Sequence, residues 1–458
     1  MNNFLNDICE AEKESSVYDI QISSIPIWRI VYRSFRDRLL LKKCGTKTLN
    51  SHRKLNLKEL CKSYFISLIQ ISKILFSKKK YNNLLFGFPR IEKLGDYSVD
   101  KLTDPLILYT DIKESYLYFE SGRSGIHSSN RLLKNNIVWM EAIDITGNIL
   151  GYIISPLTYI IKYSTFNDLF RRAKLIDDIS RKDKIRIVQA TSKQLITCEF
   201  YKYVIKHTSA QNVFASAIMN RPALLSACLK SGINCFELQH GITEGPSAMY
   251  SGEYLPNFSP TRFLAFGKTS INPYFNVPVC DIVNIGYAFK SWIKEFTGNI
   301  SKEGYLFISS LQITSELIDF ILKIKEINSS LDLSIRFHPM ESVLPEQIKK
   351  LEDNNIKIND NKENSNLSVL RYEGIIGEHS SVLSESISMG VKTAKIFSGK
   401  INEGRNIETE RAKGFFIISD INDFNSFITS TLPKNIPEYY SDFNPQLINK
   451  LISSEIEN

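Results

Sequence analysis

The sequence predicts an α/β chain of two Rossmann-like, doubly wound domains facing each other across a cleft, preceded by a basic amphipathic helix. Three observations lead there. The chain has 458 residues, more than one ordinary core holds, and is 43% hydrophobic against 23% charged, the balance of a globular protein. Short apolar runs alternate with stretches of helical periodicity, as in a parallel sheet covered by helices on both faces. That rhythm occurs twice, with a break near residues 287–303.

Residues 1–80 form the opening region. Within "VYDIQISSIPIWRIVYRSFRDRLLLKK" (17–43), Trp28, Val31, Phe35 and Leu39 fall at helical spacing after Pro26. Arg29, Arg33, Arg36 and Arg38 line much of the remainder. Such a helix either docks its apolar stripe on the domain, as most amphipathic helices do, or rests on an anionic membrane surface. "SKKKYNN" (77–83) reads as a linker or loop.

The first domain is expected over 81–290, the acceptor side of the cleft. "NNLLFGFP" (82–89) and "NIVWMEAI" (136–143) read as strands, and 165–210 is helical in character. Then come "NVFASAIM" as strand, "RPALLSACLKSG" as helix with Pro222 in its first turn, and "INCFELQ" as strand. "TRFLAFG" (261–267) and "DIVNIG" (281–286) are short strands closed by glycine.

The second domain is expected over 300–435, the nucleotide-donor side. "GYLFISS" is a strand ending in Ser309 and Ser310, and "TSELIDFILKIKEIN" a helix with Thr314 placed to cap it. The strands "LDLSIRFHP", "NIKIND", "YEGIIGEHS", "VKTAKIFS" and "GFFIISD" follow, interleaved with the helices "PEQIKKLEDN", "SVLSESISMG" and "INDFNSFITSTL". Residues 436–458 are left as a helical tail.

Composition narrows the function. The net charge of +8, from 57 Lys+Arg against 49 Asp+Glu, favours an anionic partner. The basic residues are dispersed, without the aromatic-basic motif of a nucleic-acid reader, so no nucleic-acid partner is expected. Seven cysteines show no CxxC and no zinc spacing, so neither a metal site nor a disulfide frame is indicated, and reduced thiols in the cytoplasm are expected. The acidic N-terminus is unlike a signal peptide. The longest apolar run, "NILGYIISPLTYIIKY" (148–163), is short and interrupted by Pro156. It reads as buried core or an interface segment rather than a membrane span.

Ligands of open parallel sheets bind beyond the carboxyl ends of the strands. Three of the six histidines fall there: Gln239-His240-Gly241, Arg336-Phe337-His338-Pro339 and Glu378-His379-Ser380-Ser381. His52, His127 and His207 show no such pattern. Each feature has an ordinary reading, as a satisfied backbone contact, a helix cap or a proline-stopped strand. Together they fit a phosphorylated ligand. A helix beginning at Ser381 turns unpaired N–H groups and its positive dipole end toward the cleft, and the two serines add donors. Arg336 offers a guanidinium fork for phosphate, His338 donates to a leaving phosphate, and Glu385 is placed to accept ribose hydroxyls. Opposite them, His240 is matched to removing a hydroxyl proton near neutral pH. Gly241 is expected to let the backbone turn and approach a substrate closely. Gln239, Gly241 and Thr243 begin the loop that would line the acceptor side.

"LQHG", "RFHP" and "EHSSVLSES", in that order, resemble the two-domain GT-B glycosyltransferases of bacterial capsule and O-antigen synthesis. Related patterns occur in polysialyltransferases, Kdo transferases and teichoic-acid glycerophosphotransferases. The resemblance implies His240 as base, and His338, Ser380 and Ser381 as donor-phosphate ligands. Glu378 and Glu385 are seven positions apart, not the eight common in retaining members, which favours inversion. It further implies a nucleotide-activated sugar as donor substrate, no cofactor and no metal, and a lipid-linked or oligosaccharide acceptor. The place implied is the cytoplasm, with contact through residues 25–43 at the inner face of the membrane. Transfer of a polyol phosphate such as glycerol phosphate from a CDP donor, nucleotide-sugar 2-epimerisation and non-catalytic binding remain alternatives.

Overall fold

A computed structural model describes residues 2–43, 56–88, 91–122, 126–241, 249–268, 282–297, 300–310, 313–338, 341, 343–359, 364–378, 380–397, 407–433, 436 and 438–453. Two parallel sheets dominate it. Chain order begins with a small antiparallel hairpin, β1 (Gln21–Ile22) and β2 (Ile25–Pro26). Then come β3 (Asn83–Phe86), the hairpin β4 (Ile91–Leu94) and β5 (Tyr97–Asp100), β6 (Tyr116–Glu120), β7 (Ile137–Trp139), β8 (Asn212–Ser216), β9 (Asn234–Leu238), β10 (Arg262–Ala265) and β11 (Ile282–Asn284). Apart from the hairpins, these form a seven-stranded sheet in the order β11-β10-β9-β8-β3-β6-β7. The second sheet has six strands: β12 (Tyr305–Ile308), β13 (Leu333–Arg336), β14 (Lys357–Ile358), β15 (Gly374–Gly377), β16 (Lys392–Ile396) and β17 (Phe416–Ile418). Its order is β14-β13-β12-β15-β16-β17. All pairings within both sheets are parallel.

The strand residues explain this arrangement. "NLLF", "NVFAS" and "YLFI" are buried on both faces, as central parallel strands must be. Strand order reverses between β3 and β8 in the first sheet and between β12 and β15 in the second, so these are the switch points where ligands of such sheets bind. The two sheets share an apolar cluster. It contains Phe266 and Tyr287, just past the ends of β10 and β11, with Ile308 at the end of β12 and Leu383 in the helix after β15. The carboxyl ends of the two sheets therefore face one another, as the expected fold class requires.

The structure differs from the sequence reading at three points. β6, "YLYFE", joins the first sheet unannounced, although Ser115 and Ser121-Gly122 bound it. Thr314 does not cap its helix: Ile313 occupies that position and Thr314 is the first helical residue. The break near 287–303 contains a helix, Ala288–Thr297, whose Phe289, Trp292 and Ile293 enter the interdomain cluster. The C-terminal segment returns to the first domain. Ser441 N–H donates to Phe266 O at 2.8 Å, Tyr287 N–H to Ser441 O at 3.0 Å, and the helix Pro445–Ile452 buries Ile448 and Leu451 beside Leu85 and Leu106. No helix among the described residues is long and apolar enough to cross a membrane.

The basic helix spans Ile27–Lys43 and is docked. Trp28, Val31, Phe35 and Leu39 are all buried, and the first three pack against Phe166, Leu169 and Ile187. Arg33 and Arg38 face outward, but Arg29 and Arg36 are buried. Arg36 is 0% exposed and pairs with Glu12 through Nε–H to Oε1 at 3.0 Å and through a second, shorter contact from Nη2. Arg29 lies between the rings of Tyr18 and Tyr32, at 5.0 and 5.1 Å from their centroids. The stripe that would have met a lipid surface is spent on the protein core. Removing one partner of a buried ion pair strands the other charge. Arg36→Ala is therefore expected to lower unfolding free energy by about 3–5 kcal/mol in urea melts, whereas Arg33→Ala, on the exposed face, changes it by less than about 0.5 kcal/mol.

Candidate functional site

The helix Ile27–Lys43 reaches the strand ends of the first sheet through the segment 249–253. Tyr32 Oη donates to Met249 O at 2.7 Å, Arg36 Nη1 to Ser251 O at 2.6 Å, and Arg29 Nη2 to Glu253 O at 2.8 Å. Gly252 has φ of +111°, and a Cβ there would lie 2.5 Å from Arg36 Nη2. Three side chains thus clamp one loop by its carbonyls, and the glycine lets the chain pass the arginine.

What the clamp holds is Tyr250, directly below His240. Tyr250 Oη donates to Glu237 Oε1 at 2.5 Å and lies 3.2 Å from His240 Nδ1. With its proton given to Glu237, the Tyr250 oxygen accepts from Nδ1–H, which leaves the lone pair of the imidazole on Nε2. Glu237 is fully buried in β9, and burial pushes its carboxyl up to about 8, against the opposing pull of the Tyr250 hydrogen bond and the Arg29 charge. The ring of Phe88, just after β3, lies 5.2 Å from that of His240 and packs at the edge of the interdomain cluster. His240 therefore stands beside the junction of the domains, near the first switch point.

The neighbours of His240 have other tasks. Gln239 is 1% exposed: its Oε1 accepts from Phe266 N–H at 2.7 Å and its Nε2 donates to Gly241 O at 3.1 Å. It fastens the end of β9 to that of β10 rather than presenting an amide to a ligand. Gly241 has no positive φ, so no left-handed turn demands glycine there. Thr243 and His379 lie outside the described residues.

In the second domain the strand ends converge on a carboxylate that sequence reasoning missed. Ser309 Oγ and Thr314 Oγ1 each donate to Glu341 Oε1 at 2.8 Å, and His338 N–H donates to Glu341 Oε2 at 2.7 Å. Beside them, at the switch point, Ser310 Oγ donates to Glu378 Oε2 at 2.9 Å. His338 itself is exposed. Ser380 is the N-cap of the helix Ser381–Ser388, accepting from Val382 N–H at 3.3 Å, and Ser381 is exposed at its first position. Arg336 is buried, with Nη1 donating to Asn359 Oδ1 at 2.7 Å toward the edge strand β14. Glu385 is buried at the domain junction, accepting from Tyr440 Oη at 3.4 Å. There Lys101, from the first domain, lies 3.0 Å from Glu92. Burial draws Lys101 down, but Glu385 and Glu92 outweigh it and hold the ammonium above its ordinary range. Ser309, Ser310, His338, Ser380 and Ser381 thus gather at the strand ends, while Arg336 and Glu385 are directed elsewhere.

His127, which had no sequence pattern, is the centre of a buried network beyond β6 and β7. Its ring stacks on Trp139, 3.8 Å between centroids. Nδ1 is 2.6 Å from Glu120 Oε1 and Nε2 is 2.9 Å from Glu141 Oε1, so both nitrogens carry protons. Burial lowers its affinity for a proton, but the two carboxylate hydrogen bonds prevail and raise it. Arg131 completes the network at 2.9 Å from Asp104 and 3.0 Å from Glu120. A Cβ at Gly122 would lie 2.5 Å from the His127 ring. No group of three or more His, Cys, Asp or Glu among the described residues is placed to hold a metal ion.

No protein-family model matches the chain, and no curated protein matches it in sequence. Solved structures match it by fold. A UDP-GlcNAc 2-epimerase from Neisseria meningitidis bound to UDP-GlcNAc is 11% identical, the match covering 82% of this chain and 99% of that one at a TM-score of 0.46. A UDP-GlcNAc 2-epimerase from Methanocaldococcus jannaschii is 10% identical over 81% and 98% of the two chains, with a TM-score of 0.45. The wall teichoic acid polymerase TagF, soaked with CDPG, is 12% identical over 86% and 98%, with a TM-score of 0.41. The likeness is one of fold.

Glu237 also supplies a test of the site by pH. Its unfolded carboxyl titrates near 4.5 and its folded one near 8. The folded state therefore keeps a proton that the unfolded chain has released, and stability falls as pH rises across that window. Glu237→Gln removes the titration, so its loss of melting temperature between pH 5 and pH 8 is expected to be smaller than that of the parent chain. Identical slopes would mean Glu237 is ionised in the fold.

Proposed function

We propose that the chain transfers a sugar, with inversion, from a nucleotide-activated donor to a hydroxyl of a growing surface polysaccharide, lipid-linked or free. The observation that carries this reading is the buried chain Glu237–Tyr250–His240 at the ends of the first sheet. A histidine whose Nδ1 proton is taken up by a neighbouring hydroxyl is oriented to accept a proton at Nε2. In this reading His240 Nε2 takes the acceptor hydroxyl's proton as its oxygen attacks the anomeric carbon. Tyr250, held in place by its hydrogen bond to Glu237, fixes the tautomer by accepting from Nδ1–H.

The donor's phosphates are assigned to the second domain. The hydroxyls of Ser309 and Thr314 and the N–H of His338 already hold an anion, the Glu341 carboxylate. Donor binding would exchange that carboxylate for a phosphate oxygen, with the helix at Ser381, the Ser380 hydroxyl and the exposed His338 ring neutralising the departing nucleotide. Arg336 would contribute charge from the strand rather than a fork to the phosphate. Glu385 and the ribose would meet only if the domain junction opened. The resemblance of the sequence motifs supports the polysaccharide as acceptor.

A second reading, nucleotide-sugar 2-epimerisation, is the activity named for two of the structures of similar fold. It also needs a proton-moving residue but no acceptor. One experiment separates the reactions. UDP-, GDP-, CMP- and CDP-activated donors are first screened by thermal shift, where the cognate nucleotide raises the melting temperature. The binder is then incubated in D2O with and without oligosaccharide acceptors. Acceptor-dependent glycoside formation supports transfer. Deuterium at sugar C2 without an acceptor supports epimerisation, and a phosphodiester product supports polyol phosphate transfer.

Two variants follow. His240→Ala is expected to bind donor normally while turnover falls by about 10²–10⁴-fold; unchanged turnover removes it as the base. Glu341→Gln removes the competing charge and is expected to tighten nucleoside diphosphate binding several-fold in calorimetry. Weaker binding would assign Glu341 to bracing the loop after β13.

A further inference from the structure

The helices Leu57–Phe76 and Glu141–Ile161 adjoin, with Tyr64 Oη 3.2 Å from Thr146 Oγ1, and both turn apolar faces to solvent. The second is inverted relative to an ordinary globular helix. It buries Gly147, Gly151 and Ser155 and exposes Ile149, Ile153, Leu157 and Ile160, the last at 70%. The burial is tight: a Cβ at Gly151 would come within 2.8 Å of the Lys193 backbone. From Ile145 to Ile161 this helix has no charged residue. The sequence reading placed the segment in the core or in an interface, and the structure excludes the core.

On the first helix, Phe65, Ile69 and Phe76 share one face, with Phe76 89% exposed. They line an open groove of about 620 Å³. Lys58, Lys62 and Lys73 fall on that same side at helical spacing, Glu59 is the one acid of the helix, and Lys78 and Lys162 lie just beyond the two helices. Scattered exposed apolar residues are unremarkable, but two adjoining helices that each carry several on one face mark a docking surface.

We propose that this face docks on an anionic phospholipid bilayer, its isoleucines and phenylalanines entering the headgroup boundary and its lysines meeting phosphates. Charge complementarity selects this occupant. A second copy would set lysine against lysine, whereas an anionic bilayer offers apolar depth and negative charge together. The surface is distinct from the Ile27–Lys43 helix, whose apolar stripe is buried, and the inference does not depend on the reaction proposed above.

The test is flotation of the full chain with phosphatidylcholine vesicles, with and without phosphatidylglycerol. The chain is expected to float with the anionic vesicles and to partition about ten-fold less, or lower still, onto neutral ones. Ile153→Glu with Ile160→Glu, and separately Phe65→Glu with Ile69→Glu, are expected to lower binding by about ten-fold or more. Lys58→Glu with Lys62→Glu is expected to do the same, and to abolish the dependence on salt. Since all these positions are exposed, melting temperatures should match that of the parent chain. Absence of binding, equal binding to both vesicle types, or a concentration-dependent dimer in sedimentation that the same substitutions dissolve would each overturn the proposal.

Discussion

The buried guanidinium of Arg36 ties the chain together. A charge taken out of water costs several kcal/mol unless its partners are closely placed, and Arg36 has them on two sides: the Glu12 carboxylate and the Ser251 carbonyl. Tyr18 strengthens the arrangement by donating to Glu12 at 2.8 Å. The N-terminal helices are thereby locked to the loop below His240. Opening the segment 249–253 would take the Ser251 carbonyl away from a buried guanidinium, so the segment is held in place by the charge beneath it. The catalytic reading of His240 depends on this, because a tautomer can be imposed only by a neighbour that stays in place.

The same logic recurs at the other strand ends. His127 sits between two carboxylates, Lys101 between Glu92 and Glu385, and Glu341 beneath two hydroxyls and an amide. Each buried charge is met by an opposite charge or by several donors, as burial requires. These groups cluster where the sheets end because helices and sheets satisfy their own backbone, whereas the ends leave polar groups to be answered by side chains. Around the apolar cluster that joins the two sheets, the strand ends are thus ringed by paired polar groups.

The outer faces follow a different rule. The helix Ile27–Lys43 buries its large apolar residues and displays Arg33 and Arg38, as a globular protein requires. The helix Glu141–Ile161 does the reverse, because Gly147, Gly151 and Ser155 let it approach the helix Arg181–Thr208 closely. Close packing of small residues consumes the inner face and leaves the bulky ones outside. Two helices of comparable hydrophobic content thus have opposite relations to solvent.

Periodicity determined much by itself. Both parallel sheets, most of their strands and the placing of His240 and His338 at strand ends follow from local patterns of apolar residues, which require no knowledge of what lies across the fold. Tertiary structure alone decided which side chains meet. Glu237 is one charged residue in an apolar strand, Tyr250 lies beyond a loop, and Arg36 is one arginine among four; only packing makes them one network. Arg336 and Glu385 carried the right chemistry in the right places along the chain, yet their side chains turned toward Asn359 and Tyr440. Burial of the docked helix, and exposure of the apolar one, were likewise settled by partners far away in sequence. Local pattern fixes where the backbone runs, but the direction and ionisation of a side chain depend on the field and the space that distant residues create.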